Sequence, residues 1–199
     1  MSIYLLKPRF QALLRPAVGR LCGAGVTANQ VTLAACAVSL ALGLGLYATD
    51  APRTALALVP AWMALRMAFN AVDGMLAREH GQASRLGALL NELTDVLSDA
   101  ALYLPLALVT PFSPFWVGTF IVLAGLSEFA GALGATVGAS RRYDGPMGKS
   151  DRAAAVGALC LWAAWQPLPA AAAWLMPALA ALTAFTVANR VRAALREAT

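Results

Sequence analysis

The sequence is short of charge, of histidine and of cysteine, and each shortage argues against a class of protein. Charged residues are 13% of the 199, about half of the roughly 25% that a soluble domain carries. Apolar residues reach 60% and the mean hydropathy is +0.67, so the chain calls for lipid as its solvent. The one histidine, His80, stands apart from the three cysteines, Cys22, Cys36 and Cys160, and no CxxC pair occurs. That spacing argues against a zinc site or a disulfide framework and predicts buried free thiols. The net charge of +5 invites comparison with nucleic-acid binders, but the basic residues lie between apolar runs and follow membrane topology instead.

About 20 apolar residues cross a bilayer core, and the sequence predicts six such crossings. The first occupies about 30–47, the second 54–73, the third 86–108 and the fourth 116–137. The charge-free run 153–189 would be about 55 Å long as helix, at about 1.5 Å per residue. It fits two crossings, divided at Gln166-Pro167-Leu168-Pro169. With six crossings, thirteen of the fifteen basic residues fall on one side: Lys7, Arg9, Arg15 and Arg20, then Arg78 and Arg85, then Arg141, Arg142, Lys149 and Arg152, then Arg190, Arg192 and Arg196. Excess Lys and Arg mark the cytoplasmic side, so both termini are expected in the cytoplasm, most simply at a bacterial inner membrane. Residues 1–20 mix Ile3, Leu5, Leu6, Phe10, Leu13 and Leu14 with Lys7, Arg9 and Arg15, the composition of an amphipathic helix lying in the interface. The expected fold is therefore an all-α integral membrane protein, a single domain over 1–199, with an interfacial segment at 1–20 and a six-helix bundle over 30–194.

Inside this apolar frame the ionisable groups cluster. Such groups are costly at membrane depth and are functional candidates by default. Arg66, Asn70 and Asp73 fall at i, i+4 and i+7 on the second span, within about 60° of one helix face. Asn91, Asp95 and Asp99 fall at i, i+4 and i+8 on the third, with Glu92 beside them. A short connection lets the two faces meet near the cytoplasmic mouth. Oxygen donors without His or Cys suit a hard divalent cation, Mg²⁺ or Mn²⁺. Clustered carboxylates also need a neighbouring positive charge, which a metal or Arg66 can supply. Glu128, inside the fourth span, either faces the same cavity or pairs with Arg66. Gly131, Gly134 and Gly138 read as close-packing positions.

The spacing is specific. Asn70-x2-Asp73-Gly74-x2-Ala77-Arg78-x8-Gly87-x3-Asn91-x3-Asp95 resembles the signature of the CDP-alcohol phosphotransferases, D-x2-D-G-x2-A-R-x8-G-x3-D-x3-D. Thr27-x-Asn29-x2-Thr32, entering the first span, agrees with it. The family's first and third aspartates are Asn70 and Asn91 here, an amide oxygen in place of a charge. The resemblance implies transfer of a phospho-alcohol group, most simply phosphatidyl, from a CDP-linked lipid donor such as CDP-diacylglycerol to a hydroxyl acceptor, with release of CMP. It implies one or two Mg²⁺ or Mn²⁺ ions held by Asn70, Asp73, Asn91 and Asp95, with Glu92 or Asp99 as further sources of negative charge. Asp95 is implied as general base, Arg78 as a phosphate contact, and Gly74, Ala77 and Gly87 as the small residues where the nucleotide approaches. Lys149 and Arg152, at the start of the fifth span, are implied to meet a phosphate of donor or acceptor, so the acceptor is itself expected to be anionic. A homodimer is implied as well. Two other readings stay open: a catalytically silent relative acting as a membrane scaffold, and a small cation transporter using the acidic cluster.

Overall fold

The computed structural model describes residues 6–198, and among them every regular element is helical. Seven α-helices follow one another: α1 (Leu6–Gly23), α2 (Ala28–Ala48), α3 (Leu58–Glu79), α4 (Arg85–Tyr103), α5 (Pro114–Leu133), α6 (Lys149–Trp165) and α7 (Leu175–Glu197). Short 3₁₀ turns extend α3 backwards from Arg53, α5 forwards to Val137 and α7 backwards from Ala170. Four of these stretches are long and apolar enough to cross a membrane: Ala28–Ala48, Arg53–Glu79, Pro114–Val137 and Ala170–Glu197. Besides α1, the two remaining helices are α4 and α6. α4 carries Glu92, Asp95 and Asp99, and α6 has 17 residues and opens on Lys149, Asp151 and Arg152.

Local signals set the helix ends. Gly25, at φ +79, closes α1 in the left-handed conformation that glycine adopts without strain. Thr27 caps α2: its hydroxyl accepts the Gln30 N–H at 3.2 Å and the Gln30 carbonyl oxygen accepts the Thr27 N–H at 2.9 Å, a reciprocal box that satisfies two otherwise orphaned donors. Ser84 caps α4 by accepting the Gly87 N–H at 2.9 Å. Pro114 stands at the first position of α5, where its missing N–H costs nothing. α6 ends at Trp165, and Gln166 turns to extended backbone before Pro167 and Pro169, neither of which can donate to a helix.

The chain divides into two compact units, and α2, α3 and α4 contribute to both. The first comprises the described residues up to Val38 together with Trp62–Asp95. Its core is Val18, Ala28, Val31, Val72, Met75 and Leu76, with Leu14, Leu21, Cys22, Phe69 and Ala77 packed around it. Leu14, Val18 and Leu21 recur at i, i+4 and i+7, so one stripe of α1 is buried, whereas Leu13 is 77% exposed. Ile3 and Leu5 of the expected interfacial segment lie outside the described residues. Arg15 anchors α1 from its polar side through a two-point contact with Glu79, both bonds 3.0 Å.

The second unit comprises Ser39–Ala61 and the described residues from Val96 onward. Here α2 and α4 approach until backbone meets backbone: a Cβ on Gly43 would lie 2.1 Å from the Ala101 carbonyl oxygen. Tyr103 and Phe120 stack at 5.4 Å and both are fully buried. Gly131 and Gly134 do have packing roles, but toward the connection that follows α5: Cβ atoms there would meet the Arg142 and Ser140 carbonyl oxygens at 2.7 and 2.6 Å. All three cysteines are free thiols, Cys36 and Cys160 buried and Cys22 half-buried.

Candidate active site

Every residue of the Asn70–Asp95 signature belongs to the first unit. Asn70, Asp73, Gly74, Ala77 and Arg78 ride on the second half of α3, Gly87 and Asn91 on the first half of α4, and Asp95 at its middle. Asp73 is 7% exposed. The Thr32 hydroxyl lies 2.7 Å from its Oδ2 and 3.1 Å from the Ala28 carbonyl of its own helix. A hydroxyl has one hydrogen, and the charged acceptor at the shorter distance takes it. On α4, Asp95 meets Arg66: Nη2 donates to Oδ1 at 2.8 Å and to the Asp95 carbonyl oxygen at 3.3 Å. Arg66 is itself only 6% exposed. Asp95 is thus a partner of Arg66.

The small residues have distinct uses. A Cβ on Gly74 would lie 2.7 Å from Arg78 Nη2, so the Arg78 guanidinium folds back over the α3 backbone one turn earlier. A Cβ on Gly87 would lie 2.8 Å from the Asn29 side-chain oxygen and 3.1 Å from Ser84 Oγ, which brings Asn29 of α2 to the head of α4. Ala77 packs against the α1 core. Gln82, in the α3–α4 connection, accepts the Ala28 N–H at 2.7 Å and donates to the Val26 carbonyl at 3.4 Å. The sequence pattern singled out Asn29 and Thr32 but not Gln82, whose role depends on where the connection folds.

Among the described residues no three His, Cys, Asp or Glu side chains gather as a metal site. Two signature positions are amides, so the donor set is two carboxylates, Asp73 and Asp95, and two carbonyl oxygens, Asn70 and Asn91. Such a set is all hard oxygen and fits a divalent cation of the Mg²⁺ or Mn²⁺ kind. It offers little charge, because Arg66 already engages one of the two carboxylates.

The second unit holds another polar cluster, which the sequence reading resolved only in part. Glu128, 8% exposed, receives Arg152 Nη2 at 2.7 Å, with Arg190 Nη1 and Arg141 Nη2 each at 3.4 Å. Arg152 is fully buried and also donates to Ser127 Oγ at 2.8 Å and to the Met147 carbonyl at 3.1 Å, with Asp99 Oδ2 at 3.8 Å. Both terminal nitrogens of Arg152, the cation expected to meet a phosphate, engage these protein groups, while its buried Nε has no hydrogen-bond partner among the described residues. Lys149, at the first position of α6, is half-buried. Arg190, 2% exposed, donates to the Ser127 carbonyl at 2.5 Å. Its part was foreshadowed only by its place at the end of the charge-free run. A small cavity lies between Asp99, Glu128 and Arg152, walled by Val96, Ile121 and Ala124. In the α5–α6 connection Arg142 donates to Asp144 at 2.9 and 3.1 Å. Those bonds hold the Asp144 carboxyl below the usual carboxylate range.

Comparison with known proteins extends this picture. The family model described as CDP-alcohol phosphatidyltransferase matches residues 25–188. "Inner membrane protein YnbA" of Escherichia coli K12 is 43% identical, the match covering 98% of this chain and 97% of that protein. The phosphatidylinositol phosphate synthase of Mycobacteroides abscessus is 30% identical over 63% of this chain and 54% of its own length. Among solved structures, the phosphatidylinositol phosphate synthase of Mycobacterium tuberculosis in complex with manganese and citrate superposes with a TM-score of 0.75 at 24% identity, covering 90% of this chain and 88% of that one. The same enzyme with CDP-DAG bound gives a TM-score of 0.64 at 23% identity, covering 92% and 89%. At these identities the two structures speak to the fold.

Proposed function

The chain belongs to the CDP-alcohol phosphatidyltransferase family, and on that premise we propose that it transfers a phosphatidyl group from a CDP-linked lipid, CDP-diacylglycerol being the simplest, to a hydroxyl acceptor, with release of CMP. The observation that carries this reading is the Asn70–Asp95 run, folded onto two neighbouring helices of one unit with Thr32 and Arg66 on its two carboxylates.

Asp95 is the general base that takes the acceptor's proton, and Arg66 fixes the orientation of its carboxylate. Arg78, laid over Gly74, presents its planar fork of donors to the diphosphate. Gly87 and Asn29 leave the mouth of α4 narrow and free of bulk. Lys149 supplies positive charge for an anionic acceptor, and Arg152 sets the start of α6 through Glu128 without touching the phosphate. Asp73, Asn70, Asn91 and Asp95 are the residues that would hold Mg²⁺ or Mn²⁺. When bound, such an ion supplies charge neutralisation to the diphosphate and its leaving group. Positioning and charge complementarity, more than covalent chemistry, provide the acceleration.

The same reading makes α4 and α6 crossings as well, for six in all, with both termini cytoplasmic and the enzyme a homodimer in a bacterial inner membrane. Opposite its polar face α4 presents Leu86, Leu89, Leu93 and Leu97, each more than half exposed. That is an apolar stripe suited to lipid and not to water. Purified protein supplied with CDP-diacylglycerol, Mn²⁺ or Mg²⁺ and a panel of polyols and phosphorylated polyols should release CMP with one acceptor class. No release with any acceptor, in the presence of either metal, would sink the proposal in favour of a silent scaffold.

A further inference from the structure

With six crossings, Arg66 lies inside the membrane and Arg53 alone falls on the face away from the other basic residues. Arg53 opens the 3₁₀ turn that leads into α3. Its Nε donates to the Ala163 carbonyl at 2.9 Å. That carbonyl lies in the last turn of α6, and its helical donor would be the N–H of residue 167, a proline that has none. Arg53 thus caps α6, but with one of its five N–H donors. Among the described residues its Nη1 and Nη2 make no hydrogen bond or ion pair. Asp50, the other charged residue of the α2–α3 connection, forms no ion pair with it among those residues.

Arg53 lines a cavity of about 190 Å³ in the second unit. Three connections meet there: Arg53 and Leu56 precede α3, Leu108 and Thr110 follow α4, and Gln166 and Leu168 follow α6. One water needs about 10–15 Å³, so the space admits a much larger group. The Thr110 hydroxyl and the Gln166 side-chain amide make no hydrogen bond among the described residues. The lining therefore offers a permanent positive charge, two neutral polar groups, leucine walls and no acid. Its depth in the membrane follows from α6. That helix has 17 residues, about 25 Å at about 1.5 Å per residue. The cationic α5–α6 connection lies at its start and the cavity at its end. Trp165, beside Gln166, is 85% exposed, which suits a ring at headgroup level.

We propose that this cavity binds the phosphate of an anionic phospholipid in the leaflet opposite the α5–α6 connection. Arg53 supplies the charge, Thr110 and Gln166 the neutral contacts, and the leucines pack on the first carbons of the lipid. A lipid fits better than a free anion, because one exposed cation holds little in water, whereas the apolar walls add burial that only a lipid can use. The placement rests on the six-crossing reading, while the binding is independent of the transfer chemistry. Purified full-length protein in detergent is titrated with phosphatidylglycerol, and bound lipids are counted per chain by native mass spectrometry. One phosphatidylglycerol per chain should weaken about tenfold or more in Arg53→Gln and stay in place in Arg192→Gln, whose cation does not line the cavity. Phosphatidylcholine should bind about tenfold more weakly than phosphatidylglycerol. In whole cells, Thr110→Cys should react with a membrane-impermeant maleimide.

Unchanged phosphatidylglycerol binding in Arg53→Gln, equal binding of phosphatidylcholine, or displacement of the lipid by millimolar inorganic phosphate, the mark of a free-anion site, would each overturn the proposal. So would labelling of Thr110→Cys only after the membrane is opened. Should Arg53→Gln fail to fold, Leu168→Trp, which fills the cavity and leaves the cap on Ala163 intact, decides the matter by the same loss of lipid. CMP release together with unchanged lipid binding in Arg53→Gln would remove this proposal and leave the transferase reading intact. Lipid held through Arg53 without CMP release from any acceptor would do the reverse.

Discussion

The two units handle buried charge in opposite ways. In the first, the Thr32 hydroxyl meets Asp73 and the Arg66 guanidinium meets Asp95. In the second, guanidinium groups predominate: Arg141, Arg152 and Arg190 all lie within 3.4 Å of Glu128, and each of the latter two also reaches a backbone carbonyl or a hydroxyl. The first cluster carries the signature carboxylates. The second is largely satisfied by protein groups and serves the fold. Buried charge in a membrane protein is thus no single signal; the balance of signs and the number of internal partners separate a site from a strut.

That contrast can be broken most forcefully at Glu128. Glu128→Ala leaves Arg152 and Arg190 buried without their shared carboxylate and should destabilise the protein by about 3–5 kcal/mol, read as loss of monodisperse protein on size exclusion in detergent. Asp95→Asn should behave in the opposite sense. It keeps an oxygen for Arg66, so the protein should fold, while CMP release falls by about 10²- to 10⁴-fold, as for loss of a general base. A well-folded Glu128→Ala protein or an active Asp95→Asn protein would dissolve the distinction between the clusters.

A smaller effect sharpens the view of the second unit as a packed structural body. Gly43→Ala drives a methyl into the Ala101 carbonyl and should cost about 1–3 kcal/mol, whereas Gly45→Ala meets nothing within 4 Å and should be near neutral. Thermal unfolding of the pair in detergent checks this. The smallest effect is on pH. Asp144 is held below its ordinary value of about 3.9 by Arg142. Its contribution is therefore complete above that value and is lost only as pH falls through the lower value of the folded state. Proteolysis of the α5–α6 connection should be unchanged between pH 7 and 5 and increase only below about pH 4. Asp144→Asn should be cleaved readily throughout.

Much of this was legible in the sequence because it is local. Helix lengths, the break at Gln166–Pro169, the caps at Thr27 and Ser84 and the shared faces of Asn70 with Asp73 and Asn91 with Asp95 all follow from periodicity and short-range chemistry. What escaped is non-local. Nothing in the spacing says that Arg152 turns inward to Glu128 while Arg142 takes Asp144, because both cations belong to one connection and would satisfy the positive-inside pattern equally well. Nor does spacing say that Ala77 packs on the core that holds Val18 of α1, because an alanine is small enough for several surroundings. Arg66 was visible as an anomaly on an apolar helix, but its contact with Asp95 is a matter of three-dimensional reach.

Gln82 has a mechanical consequence. Its side-chain amide grips the first turn of α2 at two points, taking the Ala28 N–H and returning a hydrogen to Val26. The bend between α3 and α4 is thereby latched to the head of α2 like a hasp. Any rocking of that hairpin must first open the latch and strip the helix of a partner for its leading amide, so the bend and the head of α2 travel together.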